Sequence, residues 1–298
     1  MNAKPKVALL FLTKNKHSQE KIWDKFLKGN ENKYDVFTHV AEKGSKTSSF
    51  LNGTIVKNVR TEWGHIINAY HILLETAYKE SKDAIRFVYL SDSCVPLMSG
   101  EKAYEQLIKF PSKTFYDKPH LDKDAKRYFK NSNLDGKPNN LRFKKVGILE
   151  KHFFKHSGWF ALCKKDAKTL LENRSAFLAM NHIRGGDEHI LSILKRNSKN
   201  SLMKRQITYV DWNLKGQKKW AQDYEKLWEK FDNSKTNEEK MKIKLKIKKH
   251  VQNGREFWHP RTFYKISKTD IEKLKKSNCI FARKIDKNTD ISLIMKNV

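Results

Sequence analysis

Several polar side chains stand where predicted strands and helices begin or end, and their types suit acid–base or phosphate chemistry. Asp187 and Glu188 follow two glycines and directly precede a helical stretch from Ile190 to Lys195. Carboxylates at a helix start are favoured by N-capping and by the helix dipole, which explains the pair without any activity. A carboxylate is also the group that takes a proton from a hydroxyl in general base catalysis, so both interpretations stay open.

A second set of candidates lies at predicted strand ends. Arg283 and Lys284 directly follow the predicted strand Cys279–Ala282. A guanidinium fork and an ammonium group can neutralise phosphates, although a plain basic turn is the alternative. Thr13 and Asp92 end two other predicted strands, and ligands of open α/β sheets bind beyond the carboxyl ends of strands. Turn chemistry alone explains each of these two residues equally well.

Common nucleotide-binding motifs are absent from the sequence, and its candidate metal sites are weak. It contains no Gly-x-Gly-x-x-Gly, no Walker-type phosphate loop, no Gly-x-Ser-x-Gly and no His-Glu-x-x-His. The Asp-x-Asp at Asp122–Asp124 has a Lys between its carboxylates and no strand before it, which makes a poor octahedral site. A zinc site would need His ligands at a suitable spacing, and His152 and His156 are the only His pair at i, i+4 spacing. We therefore expect neither a metal nor a cofactor.

Composition indicates one globular domain. The chain has 298 residues, 38% of them hydrophobic, with only 12 Gly and 6 Pro to form linkers. A net charge of +29 attracts polyanions, but the excess is mostly Lys spread along the chain rather than Arg clustered with aromatics. Specific nucleic-acid binding is therefore disfavoured. Three distant cysteines without a Cys-x-x-Cys pair are expected to be buried thiols: Cys94, Cys163 and Cys279.

The apolar runs bear on the expected cellular location of the protein. None approaches the roughly 20 residues that cross a bilayer, so no membrane span is predicted. The first run, Val7–Thr13, lacks a cleavage site and is better explained as a strand buried on both faces than as a signal peptide. A cytoplasmic protein is the expectation.

The elements that must position the candidate residues alternate between strand and helix in the first half. Such βαβ order predicts a mixed, mostly parallel sheet flanked by helices. The predicted elements are strand 7–13, helix 18–27, strand 34–40, strand 55–56, helix 64–78 and strand 86–90.

The second half begins with a polar stretch from Asp117 to Lys145, predicted to be a surface loop that could form an active-site wall. An insertion from about 214 to 257 is predicted to be a helical hairpin. Its Lys240–Lys249 alternates like a strand, but a capped start at Thr236 and good helix formers favour a helix. The remaining predictions are strand 157–163, helix 165–178, strand 206–210, helix 269–276, strand 279–282 and helix 290–295.

Seven fragments stand in a fixed order along nearly the whole chain. They are RTEWG (60–64), FVYLSDSCVPL (87–97), KHSGWFALCKKDA (155–167), GGDEHILSIL (185–194), ITYVDW (207–212), HPRTF (259–263) and IFARK (280–284). Together they resemble the core-2/I-branching family of β-1,6-N-acetylglucosaminyltransferases, which also includes peptide O-xylosyltransferases.

The resemblance implies a single A-type glycosyltransferase domain over 1–298, with a nucleotide-sugar-binding half (1–116) and an acceptor and catalytic half (117–298). It implies an inverting, metal-independent transfer from a UDP-sugar, with N-acetylglucosamine favoured, to a hydroxyl of a glycan or glycoprotein. The implied roles are Glu188 as catalytic base, Arg283 and Lys284 on the diphosphate, Thr13, Arg60, Trp63 and Asp92 around the nucleotide, and Trp159, Asp187 and Trp212 on the sugar or acceptor.

Three departures from the family pattern stand out. Where relatives have Gly-Ser-Gln-Trp or Gly-Ser-Asp-Trp, this chain has His156–Trp159 (HSGW), which lacks the polar residue before Trp and leaves the sugar open between N-acetylglucosamine and xylose. The usual amino-terminal anchor and disulfides are missing, which suggests a soluble enzyme of a microbe or large virus. The insertion is longer than the family's usual link, and we expect its hairpin to pack on its own domain or on a second subunit.

A non-catalytic polyanion-binding protein on this scaffold is the alternative function.

Overall fold

The computed structural model describes residues 4–42, 53–117, 139–183, 185–197, 201–212, 214–253 and 259–298. The Asp122–Asp124 motif and most of the predicted loop at 117–145 lie outside these ranges. The elements up to residue 117 are β1 (Lys6–Thr13), α1 (Glu20–Leu27), β2 (Tyr34–Val40), β3 (Thr54–Ile55), α2 (Ile67–Glu80), β4 (Ala84–Ser91), β5 (Val95–Pro96), α3 (Gly100–Ile108) and β6 (Thr114–Tyr116).

The later elements add short strands and most of the helices. They are α4 (Asn139–Lys145), β7 (Ala161–Cys163), α5 (Lys164–Glu172), α6 (Arg174–Ala179), α7 (Ser192–Asn197), β8 (Leu202–Lys204), β9 (Thr208–Val210), α8 (Leu214–Asp232), α9 (Asn237–Asn253), α10 (Lys268–Lys276), β10 (Phe281–Arg283) and α11 (Ser292–Met295). Single 3₁₀ turns occur at Glu150–His152, Met180–His182 and Gly186–Glu188.

The strands form two sheets. The larger has seven strands in the order β3-β2-β1-β4-β7-β6-β8, with β1, β2, β3 and β4 parallel and β7 antiparallel to both neighbours. The smaller has the order β5-β10-β9, in which β10 runs parallel to β9. The predicted α/β class, a mixed and mostly parallel sheet flanked by helices, is confirmed.

The unbroken apolar run of β1 results from burial on both of its faces. Ala8 and Leu10 join the hydrophobic cluster of α2, whereas Val7, Leu9 and Phe11 join the cluster of α1 on the opposite face. Because successive strand side chains point to opposite faces, a strand covered by helices on both sides must be apolar at every position. The predicted helix stripe on α2 is buried throughout: Ile67, Tyr70, Leu74 and Ala77.

Three predicted elements differ from the structure. The strand predicted at 157–163 begins only at Ala161, because the preceding loop is held by other bonds, among them one from the Tyr70 hydroxyl to the Gly158 carbonyl at 2.8 Å. The helix predicted at 165–178 is divided into α5 and α6 at Asn173, whose side-chain amide donates to the Thr169 carbonyl. The last part of the stretch predicted as a loop, 139–145, is the helix α4.

The insertion is a helical hairpin, as predicted. The indole of Trp220 on α8 donates to the His250 carbonyl of α9 at 3.2 Å, and the two rings stack with centroids 5.0 Å apart. The Thr236 hydroxyl accepts from the Glu239 amide, which confirms the capped start that favoured a helix. Within the described residues, no helix has the length and apolarity needed to cross a membrane.

Candidate active site

The carboxyl ends of β1, β4 and β10 meet at one edge of the fold. The Asp92 amide donates to the Leu12 carbonyl at 3.0 Å, which joins the ends of β4 and β1. The Ile285 amide donates to the Ser93 carbonyl at 3.0 Å, which joins the end of β10 to the same place. Ligands of open α/β sheets bind at such an edge.

Arg283 occupies the centre of this edge. Its guanidinium carbon lies 4.1 Å from the centroid of the Trp159 ring, within the range of a cation–π contact. Burial lowers the pKa of Arg283, and the nearby Cys94, Tyr70, Asp92 and Asp187 oppose that shift. Its Nε is buried without a hydrogen-bond partner among the described residues.

Lys284 and Asp92 complete the charged edge. Burial and the neighbouring Arg283 lower the pKa of Lys284, while Asp92 opposes that shift. Burial raises the pKa of Asp92, opposed by the Lys14 amide and by Arg283. The Asp92 carboxylate accepts from the Lys14 amide at 3.3 Å. Two adjacent cations at a strand end suit a phosphate-bearing ligand.

The glycines before the acidic pair are required by the backbone. Gly185 adopts a left-handed conformation with φ of 72°, and its amide donates to the Gly64 carbonyl at 2.7 Å. A Cβ on Gly186 would lie 2.0 Å from the Met180 carbonyl oxygen. The chain consequently forms a 3₁₀ turn at Gly186–Glu188, and the next α-helix begins only at Ser192. The predicted helix N-cap is therefore wrong, and capping does not account for the two acids.

Asp187 is the more enclosed acid of the pair. A Cβ on Gly158 would lie 2.5 Å from Asp187 Oδ2 and 3.2 Å from the Tyr70 hydroxyl, so the glycine leaves room for this carboxyl. Burial and then the adjacent Glu188 raise the pKa of Asp187 to about 7, against the opposing effect of Arg283 and Lys155. Burial therefore favours the protonated form of Asp187.

Glu188 is more exposed and lies beside a cation. Its Oε2 is 3.1 Å from Lys155 Nζ, and 36% of its side chain is exposed. Its backbone carbonyl accepts from the His156 amide at 2.8 Å, which ties the turn to the loop before Trp159. A carboxylate held by a lysine and open on one side can accept a proton from a bound hydroxyl.

The structure brings six of the ten predicted site residues together at this edge. Asp92, Arg283 and Lys284 form one group with Trp159. Asp187 interacts electrostatically with Arg283, and Tyr70 interacts with both of them and with Glu188. The predicted site residues at this edge are Asp92, Trp159, Asp187, Glu188, Arg283 and Lys284.

The other four predicted site residues make other contacts. Thr13 is 4% exposed, and its hydroxyl donates to the His39 carbonyl. Arg60 lies on the surface, paired with Glu62. Trp63 is 66% exposed, and its ring centroid lies 5.8 Å from that of His259. The carbonyl of the adjacent Gly64 accepts from the Gly185 amide. Trp212 is exposed two residues after Val210, the residue paired with Arg283 in the small sheet.

Sequence reasoning missed three participants. Tyr70 belongs to a helix stripe and was assigned to the core alone, yet its hydroxyl binds the Gly158 carbonyl and its electrostatic neighbours include Asp187 and Arg283. Lys155 begins the KHSGW fragment, which was the available signal, but no role was assigned to it. Gly158 was treated only as the loss of a polar residue.

Clusters of metal ligands are absent from the described residues, and an open cavity lies away from this edge. No group of three or more His, Cys, Asp or Glu in these ranges is arranged to hold a metal ion. An open cavity of about 810 Å³ lies near the starts of β1 and β2 and the end of α2. Its rim mixes lysines such as Lys6 and Lys82 with acids such as Asp35 and Glu80. This cavity is far from the converging carboxyl ends of the strands.

The comparisons with known proteins show the family of the chain. The family model described as "Core-2/I-Branching enzyme" matches residues 7–276. The chain belongs to this family. The matched residues of this core-2/I-branching enzyme family member include Glu188, but the match ends before Arg283 and Lys284. These two cations are therefore supported by their position in the structure rather than by the family match.

Two individual proteins are similar to this member of the core-2/I-branching family. Glycosyltransferase BC10 of Oryza sativa subsp. japonica is 28% identical over 177 residues, covering 56% of this chain and 41% of BC10. The alignment thus spans less than half of that relative. The apo structure of the WbbM bifunctional glycosyltransferase aligns over 85% of this chain and 45% of its own, with 12% identity and a TM-score of 0.39. The family and the name of the rice relative support a glycosyltransferase.

Proposed function

We propose that the protein is an inverting, metal-independent glycosyltransferase of the A-type fold. It transfers a sugar from a UDP-sugar to a hydroxyl of a glycan or glycoprotein. The observation that carries the proposal is the placement of Arg283 and Lys284 beside the Asp187–Glu188 pair, with Trp159 against the guanidinium.

The acceptor hydroxyl supplies the attacking oxygen. As its bond to the anomeric carbon forms, its proton passes to the Glu188 carboxylate, which lies beside Lys155 and is accessible to a bound acceptor. Burial raises the pKa of Asp187 to about 7, which favours its protonated form.

The bond between the anomeric carbon and the diphosphate oxygen breaks in the same step, and UDP departs with the bonding electrons. Arg283 and Lys284 meet the charge that develops on the diphosphate, a task that otherwise falls to a divalent cation. A single displacement by the acceptor on the face opposite UDP inverts the anomeric configuration.

N-acetylglucosamine is the donor sugar we favour, with xylose as the alternative. The polar residue that precedes Trp in relatives is here Gly158, and the neighbouring carboxyl is that of Asp187. A sugar stacked near Trp159 would meet that carboxyl in place of a side chain from position 158.

The deciding experiment is a transfer and hydrolysis assay with UDP-N-acetylglucosamine, UDP-xylose, UDP-glucose and UDP-galactose, each with and without EDTA. Turnover of one donor in EDTA, with an inverted product by NMR, is expected. Glu188→Gln should lower turnover by roughly 10²–10⁴-fold while UDP affinity is retained. Glu172→Gln, at an exposed acid paired with Lys168, is the matched control.

Three results would contradict the proposal. Activity lost in EDTA and restored by manganese would show metal-dependent transfer. A product with retained configuration would rule out single displacement. Failure to bind UDP or any of the four donors would refute the activity itself.

A further inference from the structure

The second arm of the hairpin, α9, has a surface that the proposed reaction does not use. Its 17 residues give it a length of about 25 Å. The side facing α8 is the packed one: Ile247 is 7% exposed, Ile243 and Val251 are half-buried, and Lys240 lies 5.9 Å from the Phe231 ring centroid. The apolar stripe of α8 is therefore covered by its own hairpin partner.

The opposite side of α9 combines exposed apolar residues with lysines. Met241 and Leu245 are 70% and 64% exposed and, four residues apart, lie on the same face. Lys244, Lys248 and Lys249, also exposed, lie on both sides of them. We define these five residues as the lysine face. One acid adjoins it, Glu238, and that acid is paired with Lys242 at 2.6 Å.

We propose that the lysine face docks on an anionic phospholipid surface. The lysine ammonium groups lie at the lipid phosphates, and Met241 and Leu245 enter the boundary between headgroups and acyl chains. A helix that lies in this plane needs an apolar strip flanked by cations, and this is the arrangement on α9. Two large apolar side chains surrounded by lysines gain little in water but are buried on contact with lipid.

A nucleic acid is the other polyanion that this charge could attract. Readers of bases and single strands rely on Arg forks and on aromatic rings that stack with bases. The sequence from Asn237 to Asn253 contains no Arg, Phe, Tyr or Trp. The exposed methionine and leucine are explained by lipid contact and have no function on a phosphate backbone.

The test is co-sedimentation of the full chain with vesicles of phosphatidylcholine alone or mixed with phosphatidylserine. Binding to the mixed vesicles only, weakened by added salt, is expected. The charge variant Lys244→Gln, Lys248→Gln, Lys249→Gln should bind at least about tenfold more weakly. Its matched control neutralises three exposed lysines of α10, Lys273, Lys275 and Lys276, and should bind as the wild type does.

The apolar strip is tested separately with Met241→Ser, Leu245→Ser, which keeps every charge and changes two exposed positions. About tenfold weaker binding is expected, and the control is Tyr264→Ser at another exposed residue. Equal binding to both vesicle types, equal losses in the α10 control, or a serine variant that binds normally would overturn the proposal. Single-stranded RNA that displaces the wild type from vesicles and binds the serine variant undiminished would assign the face to nucleic acid.

Discussion

Lys155 Nζ lies 3.1 Å from Glu188 Oε2, which joins the loop before β7 to the 3₁₀ turn at Gly186–Glu188. The lysine is 20% exposed, so the ion pair is shielded more than an ordinary surface pair. Lys155 also lowers the pKa of Asp187, opposing the effects of burial and of Glu188. One cation therefore acts on both carboxyls and is a positioning residue for the proposed base.

Lys155→Met should lower kcat by up to about tenfold and leave the KM for the donor nearly unchanged, because the ion pair orients the base and does not bind UDP. Lys155→Arg should restore part of the loss. The matched control is Lys168→Met, which removes an exposed lysine paired with Glu172 at 3.6 Å. A raised KM with normal kcat would instead make Lys155 a donor-binding residue.

Asp187 should make stability depend on pH in a defined direction. Its pKa rises from 3.8 to about 7 on folding, so between these values the folded protein holds a proton that the unfolded chain has lost. The free energy of unfolding therefore falls as pH rises through this window. Asp187→Asn should abolish that component, which amounts to at least about 1 kcal/mol between pH 5 and pH 8.

Urea unfolding of both proteins at the two pH values measures this difference. The control is Asp83→Asn, at an exposed acid, which should keep the pH dependence of the wild type. If Asp187→Asn and the wild type lose stability in parallel, Asp187 is ionised in the folded protein throughout, and its partial protonation would be excluded.

Gly158 should be intolerant of any side chain because of Asp187. A Cβ there would lie 2.5 Å from Asp187 Oδ2, so Gly158→Ala should cost about 1–3 kcal/mol of stability and lower turnover. In an Asp187→Ala background the same substitution should cost clearly less, since the clashing oxygen is gone. A double-mutant cycle by urea unfolding measures the coupling. Additive effects would mean that the loop moves away from Asp187 without cost.

The sequence predicted elements whose pattern is local, and it missed contacts made across the fold. β1 was predictable because burial on both faces requires an unbroken apolar run. The turn at Gly186–Glu188 was not, because it depends on the Gly185 amide binding Gly64, more than a hundred positions earlier in the chain. The Lys155–Glu188 pair and the contact of Tyr70 with Gly158 are likewise tertiary contacts with no local pattern.

The same limit applies to the proposed phosphate site. A strand followed by Arg283-Lys284 is compatible with a basic turn, and the family match ends at residue 276. What distinguishes a binding site is the environment of Arg283: the Trp159 ring below the guanidinium, a buried Nε without a hydrogen-bond partner in the described residues, and Asp92 at the adjoining strand end. None of these neighbours is close in sequence.

Arg283→Lys should weaken UDP binding by roughly 10- to 100-fold, because lysine keeps the charge but loses the planar fork and its contact with Trp159. Lys284→Gln should weaken it less, since Lys284 supplies a single ammonium group. Isothermal titration with UDP measures both affinities, and Lys287→Gln, at an exposed lysine nearby, should bind as the wild type does. If Arg283→Lys binds UDP normally, the guanidinium serves only to pack against Trp159, and the diphosphate must be held elsewhere.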